Sequence, residues 1–194
     1  MPWWSWRPGH TGGVKPVARR TIARGGHVRL GVPAPREPEQ VGPASDLSTM
    51  DKASLEVRPV TLSRIGQALD QLDIRYLADG DGSLLAMWER HAVLFTLEGP
   101  EDEILVIRAR PHATVPPDWA DRAYRVVNEW NHTRRFCKAY VGDPTELGQL
   151  PIYGELQVPL GAGAHDALLL EMLDCGSAVA ADFVDWLYDE GALL

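Results

Sequence analysis

Cys137, His132 and the Arg134-Arg135 pair form the one constellation in this chain whose residue types could support covalent chemistry. Two guanidinium groups favour a nearby thiolate, and a histidine five residues away could accept its proton. The cysteine opens an apolar strand, however, where packing is the commoner role for a thiol. The serines sit in turns or at helix ends, and no G-x-S-x-G elbow occurs. His10, His27, His91, His112, His132 and His165 form no H-x-x-x-H pair, and there is no C-x-x-C pair, so no zinc site is expected. Those histidines read as surface or capping residues. Asp79-Gly80-Asp81-Gly82-Ser83 begins like a calcium loop, but Leu84 and Arg90 stand where the loop needs glycine and a bidentate glutamate, so the run is a hairpin turn. Gly12-Gly13 and Gly25-Gly26 lack the strand–loop–helix setting of a phosphate cradle. No catalytic residue, metal ligand or cofactor is assigned, and a thiol-dependent enzyme using Cys137 remains only as an alternative.

A second group of titratable residues belongs to the last helix. At 100° per residue, Glu171, Asp174, Asp182, Asp185 and Asp189 fall on one narrow stripe. Like charges at this spacing repel unless something offsets them. Arg122, Arg125, Arg134 or Arg135 could do so, within one chain or across a dimer, and so could a partner with a basic surface. These five carboxylates are therefore the candidate partner-binding residues. The rest of the helix, including Leu169, Met172, Leu173, Val179, Phe183, Val184 and Leu187, is apolar over more than half its circumference. A helix packed on one sheet needs an apolar face of only about 100°. The excess predicts a homodimer with Leu168, Val179 and Trp186 in its interface.

The elements that must position these residues follow from periodicity. Thr61 caps a first helix with Leu62, Ile65, Leu69 and Leu72 on one face, ending at Asp73. Strands are predicted over 74–77, 84–88, 91–97 and 104–110, joined by short turns into an antiparallel meander. Pro116-Pro117 opens a second helix with Trp119, Ala123, Val126, Val127 and Trp130 buried, and Asp118–Arg122 and Asp121–Arg125 as outer pairs. Two strands follow, over 138–141 and 152–160, the latter apolar on one side and wet on the other. The last helix starts near Asp166 and stops at Gly191. The fold class is α+β, an antiparallel sheet with elements in the order α-β-β-β-β-α-β-β-α.

Charge and composition narrow the function classes. The 194 residues carry a net charge of −8, divided into +4 over residues 1–50 and −12 over the remainder. So acidic a domain repels phosphate backbones, and no nucleic-acid partner is expected. Residues 1–49 hold seven glycines and seven prolines without periodicity. The segment 1–50 is predicted to be a disordered tail, and its Gly/Pro/Arg bias raises the further expectation that translation starts at Met50. The folded domain is placed at residues 55–192. Two cysteines make a disulfide scaffold implausible and are read as free buried thiols. With no long uncharged apolar run and no signal-peptide pattern at the start, a cytoplasmic protein without a membrane partner is expected.

The element order, together with Val126-Val127-Asn128-Glu129-Trp130-Asn131 and the closing Asp182-Phe183-Val184-Asp185-Trp186-Leu187, resembles the YbjN-domain family. The resemblance spans about residues 55–191. It implies a bacterial regulator of sensory transduction with a fold like the dimeric class I type III secretion chaperones, and it brings no catalytic residues. The combined expectation is a non-catalytic cytoplasmic protein, regulatory or chaperone-like, that binds a protein or peptide. A small-molecule sensor with a pocket between sheet and helices is the alternative.

Overall fold

The structure is a computed structural model and describes residues 56–80 and 82–194. The expectations for the tail and for a start at Met50 lie outside the described residues. All described residues belong to one compact unit.

Helix α1 (Leu62–Gln71) begins where the Thr61 hydroxyl accepts the Arg64 backbone N–H at 3.3 Å. Its end displaces the first strand. Asp73 turns the chain at φ 56°, and the Ile74 N–H is taken by the Leu69 carbonyl at 2.9 Å. Ile74 is thus spent on capping the helix, and strand β1 runs Tyr76–Asp79, two residues later than the predicted 74–77.

Strands β2 (Ser83–Met87), β3 (His91–Glu98) and β4 (Ile104–Pro111) continue the meander. A 3₁₀ turn, Pro117–Trp119, leads into α2 (Ala120–Thr133), which is followed by β5 (Lys138–Val141), β6 (Ile152–Pro159) and α3 (Asp166–Tyr188). The six strands form one antiparallel sheet in the order β1-β2-β3-β4-β6-β5. The α+β class and the element order are those expected.

Register places Phe95 beside Ile107 and Ile107 beside Leu156, and this side of the sheet is buried under all three helices. The first helix packs on β2 and β3, the last crosses β3, β4 and β6, and the second lies on β5. Close approach needs two glycines. A Cβ on Gly176 would come within 2.5 Å of Ile107 Cδ1, and one on Gly154 within 2.6 Å of the Phe183 ring.

The opposite side of β6 is less wet than its alternation suggested. Tyr153 is 5% exposed, and Arg108 beside Glu155 is 7% exposed. The Arg108 Nε–H donates to the Glu155 carboxylate, which also accepts the Tyr140 hydroxyl at 2.9 Å and the Gln157 amide at 2.6 Å. A second Arg108 nitrogen reaches Glu98 at 3.3 Å. A buried guanidinium survives because its donors are satisfied by charged acceptors.

Trp119 also departs from expectation. It lies in the 3₁₀ turn ahead of α2 and is 43% exposed, with the Arg122 guanidinium 4.9 Å from its ring centre. Arg122 donates to the Ala192 carbonyl at 2.6 Å, and neither predicted i,i+4 pair of this helix forms an ion pair among the described residues. Both cysteines are free as expected, but Cys175 is exposed, not buried.

Candidate functional site

The V-N-x-W-N run ends α2 by clamping the loop that follows. Asn131 Oδ1 accepts the Ala139 N–H at 2.8 Å while its Nδ2 donates to the Ala139 carbonyl at 2.9 Å. Trp130 Nε1 donates to the Cys137 carbonyl at 3.0 Å, and the Arg134 N–H returns to the Trp130 carbonyl at 2.8 Å. Trp130 itself is 2% exposed, packed edge-on against Phe183 at 5.0 Å and beside Trp186 at 5.4 Å. Four hydrogen bonds and a buried indole thus fix a connection of four residues between a helix and an edge strand.

The fixed loop carries Phe136 at φ 71° with 73% of its surface exposed. A bulky residue rarely adopts positive φ, and burying its ring would be the ordinary compensation. Neither periodicity nor motif spacing marks this residue, because its conformation comes from bonds made by Trp130 and Asn131. An aromatic between a helix end and a strand, preceded by two arginines, was the only available signal.

Beside the loop runs a groove of about 320 Å³ between α2 and the C-terminal half of α3. It is lined by Trp130, Val179 and Trp186, the two indoles only 2% and 8% exposed, by Asp182, Asp185, Asp189 and Glu190, and by Arg134 and Arg135. Arg134 approaches Glu190 at 3.4 Å and Arg90 approaches Asp185 at 3.6 Å, both exposed pairs of small energetic worth. Glu190 also accepts the Trp186 indole N–H at 3.0 Å. Asp182, Asp189 and Arg135 form no ion pair among the described residues.

The structure therefore gathers Asp182, Asp185, Asp189, Val179 and Trp186 of the predicted sites around one groove. Glu171 and Asp174 are exposed farther up α3 and do not line it, and Leu168 is half-buried near the helix start. Trp186 is 8% exposed and packs within its own chain, as part of the excess apolar surface of α3 does. Val179 is half-buried.

At the other end of α3 the capping residue is His165, one position earlier than Asp166; its Nδ1 accepts the Leu168 N–H at 3.1 Å. Asp166 instead holds Arg58 at 2.5 Å and Arg64 at 2.6 Å. Arg64, and with it Arg58, keeps that carboxyl below the usual carboxylate range.

Cys137 is not placed for catalysis. The thiol is buried, its Sγ would touch a Cβ on Gly154 at 2.8 Å, and burial pushes its pKa up to about 12. His132, Arg134 and Arg135 are exposed, whereas the thiol is not. A thiol in such a setting is a packed group rather than a nucleophile.

His91 is the histidine that sequence reasoning placed wrongly. It is 6% exposed, stacked on Trp88 at 5.1 Å and 4° between planes, and its Nε2 has no hydrogen-bond partner. Burial, and then the nearby His112, lower its pKa to about 4. No group of three potential metal ligands occurs among the described residues. A second groove, of about 370 Å³, lies between α1 and the β1–β2 hairpin, where Ser63, Gln67, Asp70 and Tyr76 line it.

Comparison with known proteins places this architecture. The model of the YbjN family, described as "Putative bacterial sensory transduction regulator", matches residues 61–189. Curated proteins give no match. Among solved structures, one described as "YbjN, a putative transcription regulator from E. coli" superposes with a TM-score of 0.51 at 13% identity. The superposition covers 64% of this chain and 91% of that one, a likeness of fold alone. Among the described residues, no helix is long and apolar enough to cross a membrane.

Proposed function

The chain belongs to the YbjN family, and from that premise we propose that it is a non-catalytic regulatory protein acting as a homodimer through a protein or peptide partner. The observation that carries this reading is the exposed carboxylate stripe of α3, where Glu171, Asp174, Asp182 and Asp189 have no ion-pair partner among the described residues. Like charges held along one helix cost stability unless an opposing surface repays them. A basic segment of a partner protein is that surface, in a regulatory or chaperone-like role. The burial of Cys137 weighs against the thiol enzyme. The two free thiols suit a reducing compartment, and we place the protein in the cytoplasm.

Capture from lysate of the native host tests the reading. Proteins retained by the unaltered chain should be lost with Glu171→Lys/Asp174→Lys, a change confined to two exposed positions. An unchanged set of retained proteins would contradict a role for the stripe. A second reading, a small-molecule sensor, is favoured by the groove between α1 and the first hairpin, with its hydroxyl, amide and carboxylate lining. A thermal-shift screen of polar metabolites that moves the midpoint, and ceases to with Gln67→Leu, would select it.

A further inference from the structure

We propose that the open edge of β1, with the groove between it and α1, binds an extended basic segment of a partner protein as an added strand. The inference rests on the partner reading above and names how part of that partner is held.

The two edges of the sheet are finished differently. At β5 the Asn131 carboxamide occupies both the N–H and the carbonyl of Ala139, so a side chain fills that side of the strand. At β1 the backbone is open. The Asp79 carbonyl accepts the Gly82 N–H at 3.2 Å, and the Trp88 N–H reaches the His91 carbonyl at 2.8 Å. Antiparallel alternation from these bonds turns the backbone groups of Leu77 and Asp79 toward β2 and those of Tyr76 and Ala78 outward. No hydrogen bond among the described residues uses the outward groups. The strand has no proline or lysine, and its register with β2 is unbroken. An edge left in this state is a template for another strand.

The groove beside the edge selects what that strand carries. Its other wall is one face of α1, formed by Leu62, Ser63, Gly66, Gln67 and Asp70. Gly66 lets Tyr76 lie across the helix, where a Cβ would come within 2.6 Å of the Tyr76 hydroxyl. The charged residues lining the groove are Asp70 and Asp79, both exposed and in no ion pair among the described residues. Side chains of an added strand alternate between its faces. One set enters the groove toward Asp70; the other lies outside, beside Leu77, which is 58% exposed. Lysine or arginine in the first set and apolar residues in the second match both surroundings. A small molecule would meet the carboxylates but leave the row of backbone groups unpaired, whereas a polypeptide satisfies both.

Fluorescence anisotropy of a labelled peptide alternating lysine with valine, titrated with the full chain, tests the proposal. Binding should saturate below about 1 mM and weaken by about fivefold or more when glutamate replaces lysine. Methylating one alternate set of peptide amides should weaken binding by about tenfold, and methylating the intervening set by less than about twofold. Equal effects of the two sets would show that charge alone holds the peptide, and would overturn strand addition. Ala78→Pro removes an outward N–H from an edge strand and should cost about tenfold in affinity. Asp70→Asn keeps the groove's shape and should cost about threefold. Unchanged affinity in both variants would overturn the proposal as well. Polar metabolites that raise the melting midpoint while the peptide stays unbound would give the groove to a small molecule. Self-association that disappears in Ala78→Pro while the peptide stays unbound would give the edge to a second copy. Either result overturns the inference. The partner reading fails separately, if capture from lysate is unaffected by Glu171→Lys/Asp174→Lys.

Discussion

The two ends of α3 use the same residue types to opposite effect. At its start, Asp166 is held by Arg58 and Arg64, and Arg64 also donates to the carbonyls of Arg58 at 2.8 Å, Pro59 at 2.7 Å and Ala164 at 2.8 Å. The Arg64 side chain is only 11% exposed. Toward the other end, Asp182, Asp189 and Arg135 share a groove, and no ion pair among the described residues uses them. Satisfied charge at the first end fastens the chain entering α1 to the chain entering α3. Unsatisfied charge at the second end does nothing for the isolated fold. On the proposed function, the difference separates residues that build the domain from those offered to a partner, and substitution should expose it as a difference in cost.

The largest expected effect falls between the two ends, on the clamp. Trp130→Ala removes a buried indole and its bond to Cys137, and should cost about 3–5 kcal/mol in urea unfolding. A loss below about 1 kcal/mol would show that the loop holds without it.

Acid should act next. The folded pKa of His91 lies near 4, below the ordinary 6.5. Between those values the unfolded chain takes up a proton that the folded one refuses, so stability falls as pH drops through that window. The expected loss is about 3 kcal/mol between pH 7 and 4 on this account. His91→Phe, which keeps a ring against Trp88, should flatten that part of the dependence. Urea midpoints at pH 7, 5 and 4 decide it, and an equal slope in the variant would show that other groups carry the acid sensitivity.

Arg64→Met should follow, at roughly 2 kcal/mol, because charge-assisted bonds to carbonyls are lost from a shielded position. Smallest is Asp182→Asn/Asp189→Asn, expected to change monomer stability by no more than about 0.5 kcal/mol. A large cost there would erase the contrast between the two ends. Arg64→Met behaving like the double asparagine variant would erase it from the other side.

Element order was legible from sequence because apolar periodicity survives burial, as in Leu62, Ile65 and Leu69 or in the alternation of 152–158. The V-N-x-W-N run pointed to the right place without revealing its use. Its bonds reach Cys137 and Ala139 across a turn that no spacing rule anticipates. All five carboxylates of the stripe are exposed, whereas the apolar flank that sequence assigns to a dimer is partly covered within the chain. Trp186 is covered by Trp130 of the same chain, a contact between residues 56 positions apart that helical periodicity does not see. His91 and Trp119 fail for a related reason: exposure at an element's end depends on what packs across it. Phe136 was invisible because its conformation is imposed by neighbours.

The central claim is that the exposed carboxylate stripe of α3 is a contact surface, whereas Asp166 at the helix start is part of the fold. Amide hydrogen exchange of the full chain, measured at concentrations spanning self-association, tests it directly. Protection over residues 174–190 should rise with concentration while that over 165–168 stays constant. Protection independent of concentration in both regions, or rising only over 165–168, would contradict the account.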